Sequence, residues 1–334
     1  MFDKLIVPNY QDEIINKWKY KEKIYISCVC TVFNQKDYIR DAIDGFLSQE
    51  TEYRFEIIIH DDASTDGTRD ILLEYKKRYP LIIKLVLQEE NQYSQGRRVF
   101  PLAVEHASGE YIALCEGDDF WIDKHKLQKQ IVELEKNKDI NLVISKAISL
   151  YPDGTTSDFC DLANERKVIP FEECILGPKK DFFPTASFFL RKKIFDELPD
   201  WFYTDAPVGD YYIQLFAAKY NGVIYLPEAT TVYRRDTVGS WSVNVKDPSH
   251  YFEEIKKRMT CKIHIIESVN RKYEYILVNK MFSRYYLCIL MNFMKYNNKI
   301  NNIIMLIRIL FKYPVVILLL YKKIRIKINR MITK

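Results

Sequence analysis

The chain has 334 residues, 48% of them hydrophobic and 28% charged, so it can bury a full core and is not disordered in composition. Its seven cysteines form an odd, scattered set, which favours reduced thiols in a cytoplasm over a disulfide framework. Residues 276–334 carry 12 basic and no acidic side chains, which leaves 38 basic and 45 acidic residues, a net charge of −7, in the preceding chain. The polar first residues predict no secretory signal.

Strand and helix patterns alternate along the first half of the chain. Near-continuous apolar runs predict strands at residues 24–32, 55–60, 82–87, 111–114 and 141–149. Helical spacing predicts helices at residues 36–49, 68–79, 101–107 and 123–134. This order predicts a mostly parallel sheet covered by helices on both faces, in which ligands bind beyond the carboxyl ends of the strands.

The second half of the chain is more mixed. Short strands are predicted at residues 187–190 and 223–226, and helices at residues 192–197 and 210–220. The pattern becomes helical after residue 251 and stays so to the end.

Two adjacent acids, Asp118 and Asp119, follow the apolar run at residues 111–114. Adjacent carboxylates repel each other and resist desolvation, so such a pair is usually held by a cation. Hard oxygen ligands suit Mg²⁺ or Mn²⁺, typically together with substrate phosphates. The pair therefore indicates a site for a metal-bound phosphorylated substrate, with a solvated acidic turn as the alternative.

Three further polar clusters follow predicted strands or precede predicted helices. One interpretation of Asp61 and Asp62 is a helix cap, but a cap needs only one such residue. The other interpretation is a carboxylate that accepts the N3–H of uracil or thymine. Residues 30–35 are a weaker candidate. Arg97 and Arg98 either bind a diphosphate or are solvated.

Three motifs in order resemble glycosyltransferase family 2. They are residues 31–34 (Thr-Val-Phe-Asn), 56–68 (Glu-Ile-Ile-Ile-His-Asp-Asp-Ala-Ser-Thr-Asp-Gly-Thr) and 107–119 (Ala-Ser-Gly-Glu-Tyr-Ile-Ala-Leu-Cys-Glu-Gly-Asp-Asp). The resemblance covers about residues 25–242. It implies an α/β GT-A fold with a mostly parallel central sheet flanked by helices and a helical, basic C-terminal extension.

The resemblance also implies a donor site for a UDP- or dTDP-sugar with Mn²⁺ or Mg²⁺. Thr31 and Asp62 would contact the base. Asp119 would ligate the metal, and Asp118 would bind the ribose or a metal-bound water. The predicted donor-binding set is completed by Asn34, Arg97, Arg98 and Arg234.

A general base is the remaining requirement of the family. Asp210, an acid at the start of a predicted helix, matches its position, with a helix cap as the alternative and Asp205 as the second candidate. A base acting directly on the acceptor implies inversion at the anomeric carbon. Asp236 stands where many relatives carry a histidine, so either it is a harder metal ligand or this loop contributes only Arg234 or Arg235 to the diphosphate.

Further features bear on the acceptor. The segment around residue 236 lacks the Gln-x-x-Arg-Trp motif of processive synthases, which favours transfer of a single sugar. Three tryptophans could stack on sugars or serve as ordinary core residues, namely Trp121, Trp201 and Trp241.

The predicted domains are an N-terminal extension (1–22), a catalytic domain (23–245) and a helical C-terminal region (246–334). The catalytic domain divides into a nucleotide-sugar-binding half (23–122) and an acceptor-binding half (123–245). Residues 302–334 mix aliphatic and basic side chains without a 20-residue apolar span, which favours an interfacial helix on an anionic membrane over a basic subdomain packed on the body.

The predicted protein is thus a cytoplasmic enzyme, peripheral on the inner face of the membrane. It would glycosylate a glycan or lipid-linked acceptor in cell-surface polysaccharide synthesis, with homo-oligomerisation left open. Nucleic-acid binding is disfavoured because the body is acidic and the tail is aliphatic, not aromatic. Two alternatives remain. One is a nucleotidyltransferase, which would need a glycine-rich phosphate loop that residues 24–49 do not contain. The other is a non-catalytic sugar-nucleotide-binding protein.

Overall fold

The computed structural model describes residues 5–176, 182–237 and 248–269. The chain divides into two compact units, Met1–Glu254 and Ile255–Lys334. The first unit contains the sheet and every site residue described below. In the second unit the described residues, 255–269, are helical as far as Glu267.

One mixed sheet of ten strands forms the framework of the first unit. The strands are β1 (Ile26–Val32), β2 (Phe55–Asp61), β3 (Ile83–Leu87), β4 (Tyr111–Glu116), β5 (Phe120–Trp121), β6 (Leu142–Leu150), β7 (Thr156–Phe159), β8 (Lys167–Ile169), β9 (Phe189–Arg191) and β10 (Val223–Arg234). Their order across the sheet is β3-β2-β1-β4-β9-β6-β10-β5, with β7 paired to β6 and β8 paired to β10.

The described residues form ten α-helices, which lie between the strands and at both ends of the described chain. They are α1 (Gln11–Ile15), α2 (Ile39–Leu47), α3 (Thr68–Arg78), α4 (Val99–Val104), α5 (Lys126–Lys136), α6 (Phe171–Leu176), α7 (Lys193–Asp196), α8 (Asp200–Thr204), α9 (Gly209–Ala218) and α10 (Pro248–Glu267). A 3-10 turn, Thr185–Ser187, precedes β9.

Most of the central strands run parallel to their neighbours. Strands β1, β2, β3 and β4 run parallel, as do β6 and β10, while β9 lies antiparallel between β4 and β6. All seven residues of β2 are buried, and successive side chains point to opposite faces, so both faces of this strand are covered. The predicted mostly parallel sheet is therefore confirmed, and the polar residues that follow β1, β2 and β4 lie at one edge.

The predicted strands and helices of the first half are all present, with ends displaced by a few residues. The sequence patterns did not indicate β5, β7, β8, α1, α6 or α8, each of which has six residues or fewer. The division of residues 23–245 into two halves stays a prediction. The tail at residues 302–334 lies outside the described residues, and within those that are described no helix is long and apolar enough to cross a membrane.

Candidate functional site

The ends of three parallel strands bring the first predicted site residues together. Thr31, next to last in β1, lies in register with His60 of β2 on one side and Glu116 of β4 on the other. The backbone N–H of Asp62 donates to the carbonyl of Val32 at 2.9 Å, which extends the contact beyond the strands. Thr31, Asp62 and the acidic turn after β4 therefore share one edge of the sheet, as predicted for a ligand site.

The two acids after β2 have different partners. Asp61 is fully buried and forms a 2.9 Å ion pair with Arg69. Asp62 is buried as well, and its two carboxylate oxygens accept the backbone N–H groups of Gln92 at 2.7 Å and Tyr93 at 3.0 Å. Asp62 thus holds the loop after β3 against the site, and because a carboxylate offers about four lone-pair positions it can accept a further donor.

Asn34 joins two loops at this edge. Its side-chain oxygen accepts the N–H of Thr65 at 2.8 Å, and its own N–H donates to Ser64 Oγ at 2.9 Å. The left-handed backbone of Asn34, with φ of 52°, is a conformation that asparagine tolerates better than most residues. Asn34 therefore helps to set the shape of the site by holding these two loops together.

The adjacent arginines Arg97 and Arg98 point to different neighbours. Arg97 donates to the side-chain oxygen of Gln92 at 2.9 Å, so it belongs to the loop held by Asp62. Arg98 donates to the carbonyl of Ala206, and its Cδ lies 3.8 Å from where a Cβ on Gly209 would be. Arg98 thus links this loop to the segment that begins α9.

The acidic turn after β4 is closed by β10. Strand β5 pairs antiparallel with β10, with Trp121 opposite Thr231 in the register. This pairing brings the end of β10 beside Asp118 and Asp119. The backbone N–H of Arg234 donates to Asp119 Oδ1 at 2.9 Å, and its guanidinium donates to the carbonyl of Asp118 at 2.7 Å.

The guanidinium of Arg234 is also neutralised by a carboxylate. It forms an ion pair with Asp41 of α2 and lies 4.5 Å from the ring centre of Phe120 and 5.1 Å from that of Tyr38. Arg234 therefore fixes the acidic turn to α2, in addition to any contact with a donor.

Asp119 carries a buried oxygen that no described residue contacts by a hydrogen bond. The residue is 1% exposed, and Oδ2 has no hydrogen-bond partner among the residues that the structure describes. Burial raises the pKa of Asp119 and the charge of Asp118 raises it further, against the bond from Arg234 and the charges of Arg234 and Arg235. A buried carboxylate oxygen without a compensating partner destabilises the folded protein, and a bound cation would offset that destabilisation.

Glu116 is an acid to which the sequence patterns assigned no role. Burial raises its pKa, as do the charges of Asp118, Asp210 and Asp119 in that order. Its position at the last residue of a buried strand, two residues before the acidic pair, is the signal that could have identified it. These four acids, Glu116, Asp118, Asp119 and Asp210, form what we call the acid cluster.

The backbone of Gly117, in the turn between Glu116 and Asp118, lies close to two neighbouring side chains. A Cβ on Gly117 would lie 2.5 Å from Gln35 Oε1 and 3.0 Å from Val32 Cβ, so no larger residue fits there without displacement. Gln35 Oε1 is itself buried and has no hydrogen-bond partner within the described ranges. It is thus a second buried acceptor oxygen, in addition to Asp119 Oδ2, that no described residue satisfies.

The donor set fits Mg²⁺ or Mn²⁺ in chemistry. Carboxylate and amide oxygens are hard ligands, and the buried oxygen of Asp119 has no other partner in the described part of the chain. Within the described ranges, however, no three His, Cys, Asp or Glu side chains are arranged as a complete metal site.

Asp236 and Thr237 lie beyond the end of β10. Asp236 is exposed and has a left-handed backbone, with φ of 54°. The buried Thr237 donates its hydroxyl to Asp118 Oδ2 at 2.9 Å, a contact that the sequence did not indicate. The metal-binding role of Asp236 stays a prediction.

The candidate base Asp210 is at the start of α9. Its Oδ2 accepts the hydroxyl of Thr185 at 2.7 Å, and its charge acts on Glu116. Asp205, the second candidate, is exposed and accepts the hydroxyl of Thr204 at 3.0 Å. Asp210, and not Asp205, is therefore among the acids whose charges act on Glu116.

The tryptophans differ in environment. Trp121 is 1% exposed and donates to the carbonyl of Ala186 at 3.0 Å, so it is a core residue and cannot stack on a sugar. Trp201 packs against Tyr212 and Phe216. Trp241 lies outside the described residues.

Comparisons with known proteins give consistent matches. The family model described as Glycosyl transferase family 2 matches residues 27–199. An uncharacterized protein of Mycobacterium tuberculosis (strain ATCC 25618 / H37Rv) is 35% identical over 230 residues, which cover 68% of this chain and 64% of the relative. The poly(ribitol-phosphate) beta-glucosyltransferase of Bacillus spizizenii is 31% identical over 180 residues, which cover 51% of this chain and 26% of that protein.

A solved structure shares the fold. The crystal structure of S. aureus TarS residues 1-349 in complex with UDP-GlcNAc superposes with a TM-score of 0.64 at 15% identity, covering 87% of this chain and 80% of that chain. At this identity the likeness concerns the fold alone.

Proposed function

The chain belongs to glycosyltransferase family 2 and has a GT-A fold, and we propose that it transfers a single sugar from a UDP- or dTDP-sugar to a glycan or lipid-linked acceptor with inversion. One observation carries the proposal. Asp210 is held by Thr185 at the start of α9, and Arg98 of the proposed donor site contacts the segment that begins this helix, so a candidate base and a candidate donor site belong to one constellation. That arrangement is what single displacement requires.

The donor is proposed to bind across the ends of β1, β2 and β4. Thr31 and Asp62 would contact the base, and Arg97 and Arg98 are placed on loops that border this edge. A uracil base is proposed because the carboxylate of Asp62 can accept a further donor, such as the N3–H of uracil, and the structural neighbour TarS is in complex with UDP-GlcNAc.

Asp119 would hold a divalent cation, Mg²⁺ or Mn²⁺, with Asp118 on the ribose side. When bound there, such a cation neutralises charge on the leaving nucleoside diphosphate. Arg234 keeps Asp119 Oδ1 occupied, so Oδ2 is the oxygen that remains for the ion.

Asp210 is proposed to accept the proton of the acceptor hydroxyl. The hydroxyl oxygen then forms a bond to the anomeric carbon while the bond from that carbon to the phosphate oxygen breaks, and the electron pair leaves with the nucleoside diphosphate. Attack on the face opposite the leaving group inverts the configuration. Thr185 fixes the orientation of the carboxylate, so the base need not reorganise during the reaction.

A donor screen with a base variant tests this function. UDP- and dTDP-sugars are to be incubated with Mn²⁺, the protein and polyol-phosphate or lipid-linked acceptors, and sugar transfer is measured. We expect Asp210→Asn to reduce turnover about 10²- to 10⁴-fold while UDP binding is retained. Asp205→Asn is the matched control and should retain turnover. Unchanged turnover in Asp210→Asn would exclude the mechanism.

The location at the membrane is proposed from the basic tail. Residues 302–334 combine aliphatic runs with Lys and Arg and without acids, a composition that binds anionic lipid. Removal of these residues should release the protein from phosphatidylglycerol vesicles in a co-sedimentation assay. Equal sedimentation of both forms would contradict this proposal and leave the catalytic one intact.

A further inference from the structure

Two polar side chains of α5 lie within the hydrophobic core. Lys126 and Gln130 are four residues apart, so they share one face of the helix. Both are fully buried, as are Leu127, Ile131 and Leu134 of the same helix. Buried polar groups of this kind need hydrogen-bond partners, and those partners show which part of the molecule the pair supports.

The ammonium of Lys126 sets the direction of the Gln130 amide. Its Nζ donates to Gln130 Oε1 at 2.7 Å and lies 4.2 Å from the ring centre of Trp121. An ammonium offers donors only, so it requires the oxygen of the amide. The amide nitrogen of Gln130, which only donates, therefore points to a different partner.

That partner belongs to the 3-10 turn before β9. Gln130 Nε2 donates to the carbonyl of Ser187 at 2.8 Å, and both groups are buried. The backbone N–H of Phe188 donates to the carbonyl of Thr185 at 2.9 Å, which closes the turn around Ser187. A displacement of the Ser187 carbonyl would therefore reach Thr185 within a single turn.

The same turn holds the candidate base. Thr185, its first residue, donates its hydroxyl to Asp210 Oδ2 at 2.7 Å. The carbonyl of Ala186 accepts the indole N–H of Trp121 at 3.0 Å. Gln130 of α5 and Trp121 of β5 thus fix two adjacent carbonyls of the turn that orients Asp210.

We propose that Gln130, oriented by Lys126, is a positioning residue for the candidate base Asp210 and acts through the 3-10 turn and Thr185. The inference rests on the function proposed above. A base that must meet the acceptor hydroxyl in one geometry becomes less effective when its support is loosened, even where the donor binds as before. Loss of the Gln130 amide should therefore lower kcat and leave the affinity for UDP unchanged.

A double-mutant cycle between Gln130 and Thr185 tests this route. Gln130→Met keeps an unbranched side chain and removes the donor, so kcat should fall about threefold to tenfold, the range for one lost hydrogen bond. In the Thr185→Val background the same change should lower kcat less than about twofold, because the route to Asp210 is already interrupted. The affinity of each variant for UDP, measured by calorimetry in Mn²⁺, should stay within about twofold of the wild-type value.

Gln128→Met is the matched control on the same helix. Gln128 Oε1 accepts the hydroxyl of Thr51 at 2.8 Å and the backbone N–H of Glu52 at 3.0 Å, and neither residue belongs to the turn. Its kcat should equal that of wild type.

Hydrogen exchange gives a readout that needs no sugar transfer. Backbone amides of residues 184–188 should exchange about threefold to tenfold faster in Gln130→Met than in wild type or Gln128→Met, because the turn opens more often. Mass spectrometry of peptides that cover these residues measures the difference.

A further variant separates positioning from folding. Gln130→Met leaves the buried ammonium of Lys126 without its amide partner, which destabilises the fold. Lys126→Met/Gln130→Met removes both polar groups, so it should melt at a higher temperature than Gln130→Met and keep the same low kcat. A kcat restored to the wild-type value would show that instability, and not positioning, had lowered the rate.

Three other results would overturn the inference. They are independent effects of the two substitutions in the cycle, a fall in UDP affinity that matches the fall in kcat, and exchange at residues 184–188 as slow in Gln130→Met as in wild type. Unchanged turnover in Asp210→Asn, or a wild type that transfers no sugar, would refute the proposed function and the positioning role with it. Lost turnover in Asp210→Asn together with independent effects in the cycle would refute the positioning role alone.

Discussion

The hydroxyl of Thr185 donates a 2.7 Å hydrogen bond to Oδ2 of Asp210, across a separation of 25 residues in the chain. Thr185 begins the 3-10 turn before β9, and the carbonyl of Ala186 in that turn accepts the indole N–H of the core residue Trp121 at 3.0 Å. The hydrophobic core thus sets the orientation of the candidate base through one buried turn.

Removal of this hydroxyl should impair the chemical step more than binding. Thr185→Val keeps the side-chain shape and loses the donor, so we expect kcat to fall about tenfold through the loss of one hydrogen bond to a charged group. The donor KM should stay within about twofold of the wild-type value, because contacts that bind the ground state and the transition state equally are unchanged. Thr185→Ser is the matched control and should recover most of kcat; a value as low as that of Thr185→Val would contradict a positioning role.

Local patterns were sufficient for the framework and for selecting part of the candidate site. Strand β2 is buried along its whole length, so its apolar run identified it without further information. Asp118 and Asp119 were identified because charged residues at the end of such a strand need compensation. Asp210 was identified by its place at the start of an amphipathic helix together with the family resemblance.

The remaining contacts depend on pairing between distant segments. Strand β10 continues to Arg234. The apolar pattern indicated only residues 223–226, because Pro227 and Glu228 interrupt the apolar run. Register shifts between Leu226 and Ala229 and between Ala229 and Thr231 then set the side on which the last residues emerge. No periodicity in the sequence encodes such shifts, so the contacts of Arg234 with the acidic turn could not be derived.

Asp41 should support donor binding from outside the acid cluster. Its ion pair with Arg234 restrains the residue that donates to Asp119 Oδ1, so Asp41→Asn should loosen the acidic turn. We expect about threefold to tenfold weaker UDP binding in Mn²⁺, the range for a lost contact to a charged group. Asp70→Asn, at an exposed acid of α3, is the control for the change in net charge. Equal affinities of Asp41→Asn and wild type in calorimetry would show that Arg234 holds its position alone.

Replacement of Asp119 by Asn should separate stability from function. Because burial and Asp118 raise the pKa of Asp119, the folded state binds its proton more tightly than the unfolded chain does, and the ionised form destabilises the fold above the usual carboxyl pKa. Asp119→Asn should therefore melt at a higher temperature than wild type in EDTA. The stabilisation that Mn²⁺ confers on wild type should disappear in the variant, together with sugar transfer. Full activity of wild type in excess EDTA would exclude the metal role of Asp119.

Lys126 should make stability depend on pH near neutrality. Its ammonium is fully buried, donates to Gln130 at 2.7 Å and lies 4.2 Å from the ring centre of Trp121. Burial lowers its pKa from 10.5 to about 7, against the charge of Asp123. Between these two values the unfolded chain binds more protons than the folded protein, so the free energy of unfolding rises with pH.

The comparison of wild type with Lys126→Met isolates this effect. From pH 7 to 8.5 the free energy of unfolding of wild type should increase relative to the variant by about 1.5 kcal/mol, on the scale of 1.36 kcal/mol per pH unit for one proton. Urea unfolding at both pH values gives the difference. Lys129 is 41% exposed and its ammonium pairs with Asp123. The free energy of unfolding of Lys129→Met should therefore change with pH as that of wild type does. A Lys126→Met curve parallel to wild type would mean that Lys126 stays protonated in its buried position across this range.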